Sequence, residues 1–189
     1  MPPAIVLEVQ CIMFKKLVLL FLVYSNFSFS QALVFPEPQG VKNMLFYVQR
    51  SINKNSIVYY LNENEKGELN EIEPINMFWM TYEKPLVREE LNFIQRKYAY
   101  GLTIKMLDEE KKSFYFNFVS YKKKILYLIK SVLDKKYHVY YYLNNKLVLV
   151  TRIYIHIEGG SFWTPKVKYI QITSKDAIRN EDVLEKIIP

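Results

Sequence analysis

The feature that most constrains the fold is a long succession of short runs rich in β-branched and aromatic residues. Such runs are typical of β-strands. They lie at residues 43–51, 56–64, 75–82, 113–121, 124–130, 137–143, 146–158 and 167–173. Most connections between them are short, which favours antiparallel pairing, and the chain shows no regular alternation of strands with long helices. The sequence therefore predicts a single mainly β domain over residues 43–189.

One helix is predicted, over residues 85–99. Four apolar residues recur there at helical spacing: Val87, Leu91, Ile94 and Tyr98. Pro85 suits the first helical turn, and Gly101 is placed to end the helix with a positive φ. With this helix in a crossover, we expect a curled antiparallel sheet that is barrel-like, because closure removes exposed strand edges. A two-sheet sandwich is the alternative.

The N-terminal residues predict export. Residues 13–30 combine Lys15 and Lys16 with an apolar run and small residues that place cleavage near Ser30–Gln31. The apolar run is shorter than the roughly 20 residues that a membrane-spanning helix needs. We therefore expect a periplasmic or extracellular protein that does not span the membrane.

The predicted signal also divides the N-terminal region. It begins with its own methionine, Met13, so residues 1–12 are interpreted as a mis-assigned start extension. Residues 31–42, with two prolines and a glycine, are interpreted as a lead-in segment. The single cysteine, Cys11, precedes the signal, so no disulfide, thiol nucleophile or cysteine metal site is expected after cleavage.

The basic balance of the chain bears on its partners. The formal net charge is +7, and 16 tyrosines and 12 phenylalanines are present. A basic exported protein suits anionic envelope surfaces, whereas nucleic acid is not an expected partner outside the cell. The aromatic residues suit either a packed core or a barrel that holds a small apolar ligand.

One predicted strand carries a row of polar side chains. Arg152, Tyr154, His156 and Glu158 alternate along it and therefore project from one face. Histidine beside glutamate suits acid–base chemistry, although a solvated strand face is the commoner meaning of such a row. Gly159 and Gly160 follow and permit a sharp change of direction. Trp163 could then fold back over the row and make it the wall of a binding groove.

Several catalytic classes lack their motifs. No G-x-S-x-G elbow occurs, and no glycine-rich phosphate loop follows a strand. On a regular hairpin around Asn144–Asn145, His138 and His156 point to opposite faces, so a metal site is not expected. No cofactor is predicted.

The stretch LNFIQRKYAYG, residues 91–101, marks the end of the predicted helix. Gln95 flanks the apolar stripe, so we expect it to be half-buried with hydrogen-bond partners on backbone groups of a neighbouring strand. The upstream stretch FYVQR repeats the pattern with Gln49 and Arg50. Both glutamines are therefore predicted to hold segments of the chain against the same part of the sheet.

A set of sequence blocks carries a family resemblance. LFYVQRSINKNSIVYYLN, PINMFWMTY, LNFIQRKYAYG and GGSFWTPKVKYIQI occur in that order. The set resembles an uncharacterised family of exported bacterial proteins, domain of unknown function 4833. The residues that match the family pattern are Gln49, Arg50, Asn53, Asn55, Trp79, Gln95, Arg96, Tyr100, Gly101, Gly159, Gly160, Trp163 and Pro165. The resemblance implies no activity, cofactor or catalytic residue.

Three functional hypotheses follow from these observations. The first is a non-catalytic binding or structural module of the cell envelope. The second is a hydrolase of an envelope polymer that uses His156 and Glu158 as acid–base residues. The third is a carrier of an apolar ligand in a barrel cavity. They are ranked in that order, because no nucleophile motif or metal-ligand set supports catalysis.

Overall fold

The structure is a computed structural model, and it describes residues 35–82, 87–161, 164–176, 179 and 181–189. The predicted start extension, signal and cleavage site, together with Trp163 and Pro85, lie outside the described residues. Among the described residues, no helix is long and apolar enough to cross a bilayer.

The described chain forms one mainly β unit with eleven strands in one sheet, which confirms the predicted fold class. The strands are β1 Met44–Arg50, β2 Ser56–Leu61, β3 Ile75–Thr81, β4 Val87–Glu89, β5 Leu102–Asp108, β6 Ser113–Phe118, β7 Tyr121–Lys130, β8 Tyr137–Leu143, β9 Lys146–Gly160, β10 Pro165–Asp176 and β11 Asp182–Ile187. One short helix, α1 Phe93–Gln95, continues into a π-helical turn at Arg96–Tyr100.

The sheet is mixed rather than purely antiparallel. Its order is β4-β3-β2-β1-β9-β8-β7-β6-β5, with β10 and then β11 attached to β9. β1 runs parallel to β9, and the other pairings are antiparallel. The expectation of an all-antiparallel sheet is wrong at this one pair. The long connection from β1 to β9 supplies the crossover that a parallel pair requires.

β9 organises the sheet. On one edge, β8 pairs with Lys146–Leu149 and β1 pairs with Arg152–Ile155, whereas β10 follows the other edge from Val148 to Gly160. Two groups of strands therefore extend from β9, one formed by β1–β4 and the other by β5–β8. We call these two groups the wings of the sheet. The result is a curled half-barrel, since the described residues show no pairing between the end strands β4 and β5.

The core lies between the two wings, where aromatic rings of both meet. The Phe46 ring of β1 lies 6.4 Å from that of Phe116 in β6, and the Tyr59 ring lies 5.7 Å from Phe118. The largest side chains of this core are fully buried. They alternate along their strands, because every second residue of a β-strand faces the same side of the sheet. A smaller apolar cluster on the outer face of β1–β3 lies next to the lead-in segment: Tyr47, Val58, Phe78 and Met80, with Val41, Tyr60 and Tyr82.

A β-bulge in β9 changes which side chains face the core. Arg152 pairs with Thr173 and Val150 pairs with Ser174, so β9 has one extra residue at Thr151. Val148 and Val150 face the core before the bulge, and Ile153 faces it afterwards.

The bulge also corrects the prediction for the two histidines. Val139 and Tyr141 of β8 belong to the core, so His138 points outward. His156 alternates with core-facing Ile153 and Ile155 and therefore points outward as well. The prediction that the histidines occupy opposite faces is wrong, because it assumed a regular strand.

The helix is much shorter than predicted. Val87 lies in β4, where it pairs with Thr81 of β3. The chain therefore completes the edge of the sheet before α1 begins at Phe93, with Asn92 as its N-cap.

Gly101 follows the helical segment as predicted, but the predicted reason for a glycine there, a positive φ, is wrong. Its φ is −62°, so the backbone conformation does not require glycine. A Cβ at this position would instead collide with the carbonyl oxygen of Arg96. Glycine is needed because the π-helical turn brings that carbonyl directly over it.

The C-terminal stretch forms the edge strand β11. Gly159 and Gly160 end β9 with φ values of 77° and 87°, a region that favours glycine. Gly160 pairs with Pro165, and the Ser161 amide donates to the Thr164 carbonyl at 3.2 Å. The two glycines thus lead into a tight hairpin between β9 and β10.

Candidate ligand cavity

A cavity of about 760 Å³ opens at the end of the half-barrel that contains α1 and the β9–β10 hairpin. One wall consists of aliphatic side chains from β9 and β10: Ile153, Ile155, Ile157, Val167, Ile170 and Ile172. The opposite wall comes mainly from the helical segment and the β6–β7 hairpin, with Ile94, Tyr98, Ala99, Phe118 and Tyr121. The cavity is therefore mostly apolar.

The bulge at Thr151 explains this composition. It brings Ile153 onto the concave face, and the alternation of side chains along the strand then brings Ile155 and Ile157 onto the same face. Ile155 and Ile157 are only half-buried although they face inward. The apolar surface that they leave exposed lies within a concavity, which is where ligand sites usually occur.

Arg50 is a cation on this apolar wall. It shares the inward face of β1 with Phe46 and Val48, and it lines the cavity at the end of the strand. Its Nη1 donates a hydrogen bond to the Tyr100 hydroxyl at 2.7 Å. Its guanidinium carbon lies 4.8 Å from the centre of the Trp79 ring and 5.6 Å from that of Tyr100. Aromatic faces stabilise a guanidinium in this position.

The partners of Arg50 are themselves held in place. The Trp79 indole donates to Gln95 Oε1 at 3.1 Å, and the same oxygen accepts from the Asn92 amide at 3.0 Å. The Tyr59 hydroxyl donates to the Tyr100 carbonyl at 2.8 Å. Gln95 is half-buried as predicted, but its partner on the sheet is a side chain rather than a backbone group.

Arg96 fixes the start of the π-helical turn to the sheet. Its Nη2 forms an ion pair with Glu90 at 2.8 Å and donates to the Met77 carbonyl at 3.4 Å. It also contacts the Asn76 side chain. Arg96 thus positions the segment that carries Tyr100. Arg96 is paired with a carboxylate, whereas Arg50 has no such pair among the described residues.

The charge of Arg50 lacks a counter-ion among the described residues. Its Nε is shielded from solvent and has no hydrogen-bond partner. Lys124, the other charged side chain that lines the described cavity wall, is paired with Glu185 at 2.7 Å. A poorly solvated cation without a carboxylate is costly, which makes Arg50 the polar feature of the cavity that a ligand can satisfy.

The tyrosines around Arg50 are neutral at physiological pH. Burial raises the pKa of the Tyr100 hydroxyl, although the Arg50 guanidinium opposes that rise. Burial also raises the pKa of Tyr59 well above its usual value. Tyr100 therefore offers a hydroxyl group and no negative charge to Arg50.

The predicted polar row lies elsewhere, on the outer face of β9. Arg152, Tyr154, His156 and Glu158 do alternate on one face. Trp163, which was expected to cover them, lies outside the described residues. Tyr169 of β10 occupies the neighbouring position, with its ring stacked on that of His156 at 4.7 Å and an interplanar angle of 9°. The structure therefore does not bring this row to the cavity.

The row has the contacts of a hydrogen-bonded surface strip. His156 Nε2 lies 3.1 Å from Glu158 Oε1, and Tyr154 Oη lies 3.5 Å from His156 Nδ1. Glu158 also pairs with Lys168 at 3.2 Å.

The protonation states of the row do not favour a general acid. His156 and Lys168 hold the pKa of Glu158 below its usual value, and burial raises that of Tyr154. Glu158 is thus an ionised carboxylate, whereas a general acid needs a raised pKa. Within the described chain, no group of three or more histidine, cysteine, aspartate or glutamate residues is arranged to hold a metal ion.

Gln49 lies on the outer face and tethers the lead-in segment. It is 1% exposed, and its Nε2 donates to the Pro36 carbonyl at 2.7 Å and to Ser56 Oγ at 3.1 Å. Phe35 packs edge-on against Tyr154, with the ring centres 5.4 Å apart. The prediction that both glutamines hold the same part of the sheet is wrong, because Gln49 holds the lead-in segment to the outer face and Gln95 holds the helical segment to the inner face.

Sequence reasoning placed Arg50 among structural residues and missed its position in the cavity. The available signal was parity, since Arg50 continues the inward-facing series that begins with Phe46 and Val48. The isoleucines of β9 alternate with the polar row in the sequence, and the bulge that turns them toward an open cavity leaves no obvious mark there.

Comparison with known proteins gives one match. The family model described as domain of unknown function (DUF4833) matches residues 46–186, which include most of β1 and most of β11. The search of curated proteins and the search of solved structures each returned no match.

Proposed function

The chain belongs to the family called domain of unknown function 4833, and from its cavity we propose that it is a non-catalytic binding protein for a small apolar molecule. The observation that carries this proposal is the concave, mostly apolar space of about 760 Å³ between the two wings. That volume falls within the range of about 300–1,000 Å³ that is usual for small-molecule sites.

The physical argument is hydrophobic. Burying apolar surface contributes about 25 cal/mol per Å², and the isoleucines of the cavity wall leave such surface accessible. A ligand that fills the cavity removes this surface from water without the need for the sheet to collapse. A half-barrel that is only partly filled by its own side chains is therefore suited to binding.

A hydrolase is the weaker candidate. The Ser120 hydroxyl lines the cavity but donates to the Ala99 carbonyl at 2.6 Å, and the described structure shows no histidine beside it. The His156–Glu158 pair lies on the outer face with an ionised carboxylate. Neither group has the geometry of a nucleophile with its base.

We place this binding protein outside the cytoplasm. The composition of residues 13–30 supports export, and the net charge of +7 favours anionic envelope surfaces, where amphiphilic molecules are abundant. Radiolabelled precursor that is shortened on export, with a mature N-terminus near Gln31, is the expected result. A chain that retains residues 13–30 in the cytoplasm would contradict the location but not the binding activity.

Binding itself is tested with the neutral fluorophore N-phenyl-1-naphthylamine. We expect a saturable rise in fluorescence with the wild-type chain and a loss of it in Ile155→Trp, because the indole fills part of the cavity. Ile125→Trp is the matched control, since Ile125 is 45% exposed on β7 and does not line the cavity. Absence of saturable binding to the wild type, or equal loss in both variants, would contradict the proposal.

A further inference from the structure

We infer that the ligand is a single-chain amphiphile with a carboxylate headgroup and that Arg50 is the residue that binds this headgroup. This inference rests on the proposed function, because it assigns the ligand class of the same cavity. It adds a polar end to a site that is otherwise apolar.

The first observation is the position of Arg50. Arg50 lies on the concave face of β1, following Phe46 and Val48, within a cavity lining that is mostly apolar. The Trp79 ring and the Tyr100 ring hold the guanidinium there by contact with its face. The contacts keep the cation at the wall, although they do not neutralise its charge.

The second observation is the set of donors that the guanidinium leaves free. Tyr100 takes Nη1, whereas the described structure provides no acceptor for Nε or Nη2. Nη2 can therefore donate a charge-assisted hydrogen bond to a carboxylate oxygen in the cavity, whereas Nε is shielded by the protein and is not within reach of a ligand.

The Tyr100 hydroxyl adds a second donor. Its oxygen accepts from Arg50, and its own proton has no acceptor among the described residues. A carboxylate beside Arg50 can therefore receive hydrogen bonds from both residues. Because the described lining of the cavity is mostly apolar, these bonds form in surroundings of low polarity, where charged hydrogen bonds are strong.

The surrounding charges favour a single anionic group. Lys124 is already paired with Glu185, so it does not compete for the headgroup. The remaining described wall is mostly aliphatic and aromatic, which suits a hydrocarbon chain. The ligand would thus lie with its carboxylate at Arg50 and its chain along the isoleucines of β9.

The experiment uses the purified full chain and displacement of N-phenyl-1-naphthylamine by dodecanoate and by dodecanol. Both ligands have the same alkyl chain, so a difference in affinity reports the headgroup. We expect wild-type chain to bind dodecanoate at least about 10-fold more tightly than dodecanol, as expected of a charge-assisted pair.

The matched variants are Arg50→Met and Arg88→Met. Arg88 lies outside the cavity, yet it also donates to a tyrosine hydroxyl, that of Tyr60, and lies 4.1 Å from the Phe78 ring centre. We expect Arg50→Met to abolish the preference for dodecanoate while it retains N-phenyl-1-naphthylamine binding, and Arg88→Met to preserve both.

The outcomes separate the two levels of the account. Saturable binding of N-phenyl-1-naphthylamine with equal affinity for dodecanoate and dodecanol would overturn the inference and leave the proposed function in place. Failure of the wild type to bind N-phenyl-1-naphthylamine would overturn both. The comparison of the two wild-type affinities needs no variant, so equal affinities would overturn the inference even if Arg50→Met does not fold.

Discussion

The Tyr100 hydroxyl accepts a hydrogen bond from Arg50 at 2.7 Å, and this contact joins the end of the helical segment to β1 across 50 residues of sequence. Both residues line the cavity. The contact therefore connects two sides of the cavity and at the same time orients the one lining cation that has no counter-ion among the described residues.

Tyr100→Phe should destabilise the protein. It removes the acceptor of Arg50 Nη1 and leaves a charged donor unpaired in a partly buried position. We expect a loss of about 1–3 kcal/mol in the free energy of unfolding, measured by urea denaturation. Tyr98→Phe is the control, since Tyr98 is 60% exposed and its hydroxyl has no partner in the described structure. Equal effects of the two changes would contradict the role given to the contact.

Gln95→Ala should reduce the stability of the protein more than it reduces ligand binding. The change leaves the Trp79 indole and the Asn92 amide without their acceptor, at a cost of about 1–3 kcal/mol. Thermal melts and N-phenyl-1-naphthylamine titrations of the same samples separate the two effects. Unchanged melting with weakened binding would move Gln95 from the scaffold to the site.

Gln49→Ala should also destabilise the protein, by release of the lead-in segment from the outer face. Its amide nitrogen holds both Pro36 and Ser56, and replacement should cost about 1–3 kcal/mol. Exposed Gln39 supplies the control, and Gln39→Ala should change the free energy of unfolding by less than about 0.5 kcal/mol. A stability loss no larger than that of Gln39→Ala would argue against the tether.

Gly101→Ala should destabilise the protein more than Gly67→Ala, although only Gly67 has a positive φ. Gly67 has a φ of 77° but open space around it, so alanine there should cost about 1–2 kcal/mol of backbone strain. At Gly101, φ is negative, but the added methyl group meets the backbone of Arg96, which cannot move without displacing the helical turn. We expect the larger loss of stability at Gly101, measured by urea denaturation. A larger loss at Gly67 would contradict this close approach.

Acid should weaken a turn before β8. The Lys136 amide and His138 hold the pKa of Asp134 down at about 2, below its ordinary value of 3.8. A folded-state pKa below the unfolded one adds stability that is fully present above the unfolded value and is lost as the pH falls from about 4 to about 2. The melting temperatures of wild type and Asp134→Asn should therefore converge over that range. A gap that stays constant down to pH 2 would contradict the assignment.

The strands were predictable from the sequence because β-branched and aromatic runs are local signals. The parallel contact between β1 and β9 was not, since pairing between distant strands depends on the tertiary arrangement. The helix was predicted too long because Val87 fits its apolar stripe, yet the edge of β3 offers Val87 backbone hydrogen bonds that compete with the helix.

The candidate site was less predictable than the fold. Alternation along β9 correctly grouped Arg152, Tyr154, His156 and Glu158 on one face. The cavity lies on the other face of β9. The extra residue at Thr151 turns the isoleucines toward it, and no glycine or proline nearby indicates a bulge there. Arg50 was marked by its sequence context, although its missing partner becomes visible only when the wings are assembled.

The most direct measurement of the central claim is quenching of Trp79 fluorescence by brominated dodecanoate in the Trp163→Phe variant, in which Trp79 is the only tryptophan. Trp79 contacts Arg50, so a carboxylate bound there brings bromine at carbon 2 close to the indole and bromine at carbon 12 far from it. The account predicts saturable quenching that is stronger with 2-bromododecanoate than with 12-bromododecanoate and is reversed by unbrominated dodecanoate. Absence of saturable quenching by either compound would contradict it.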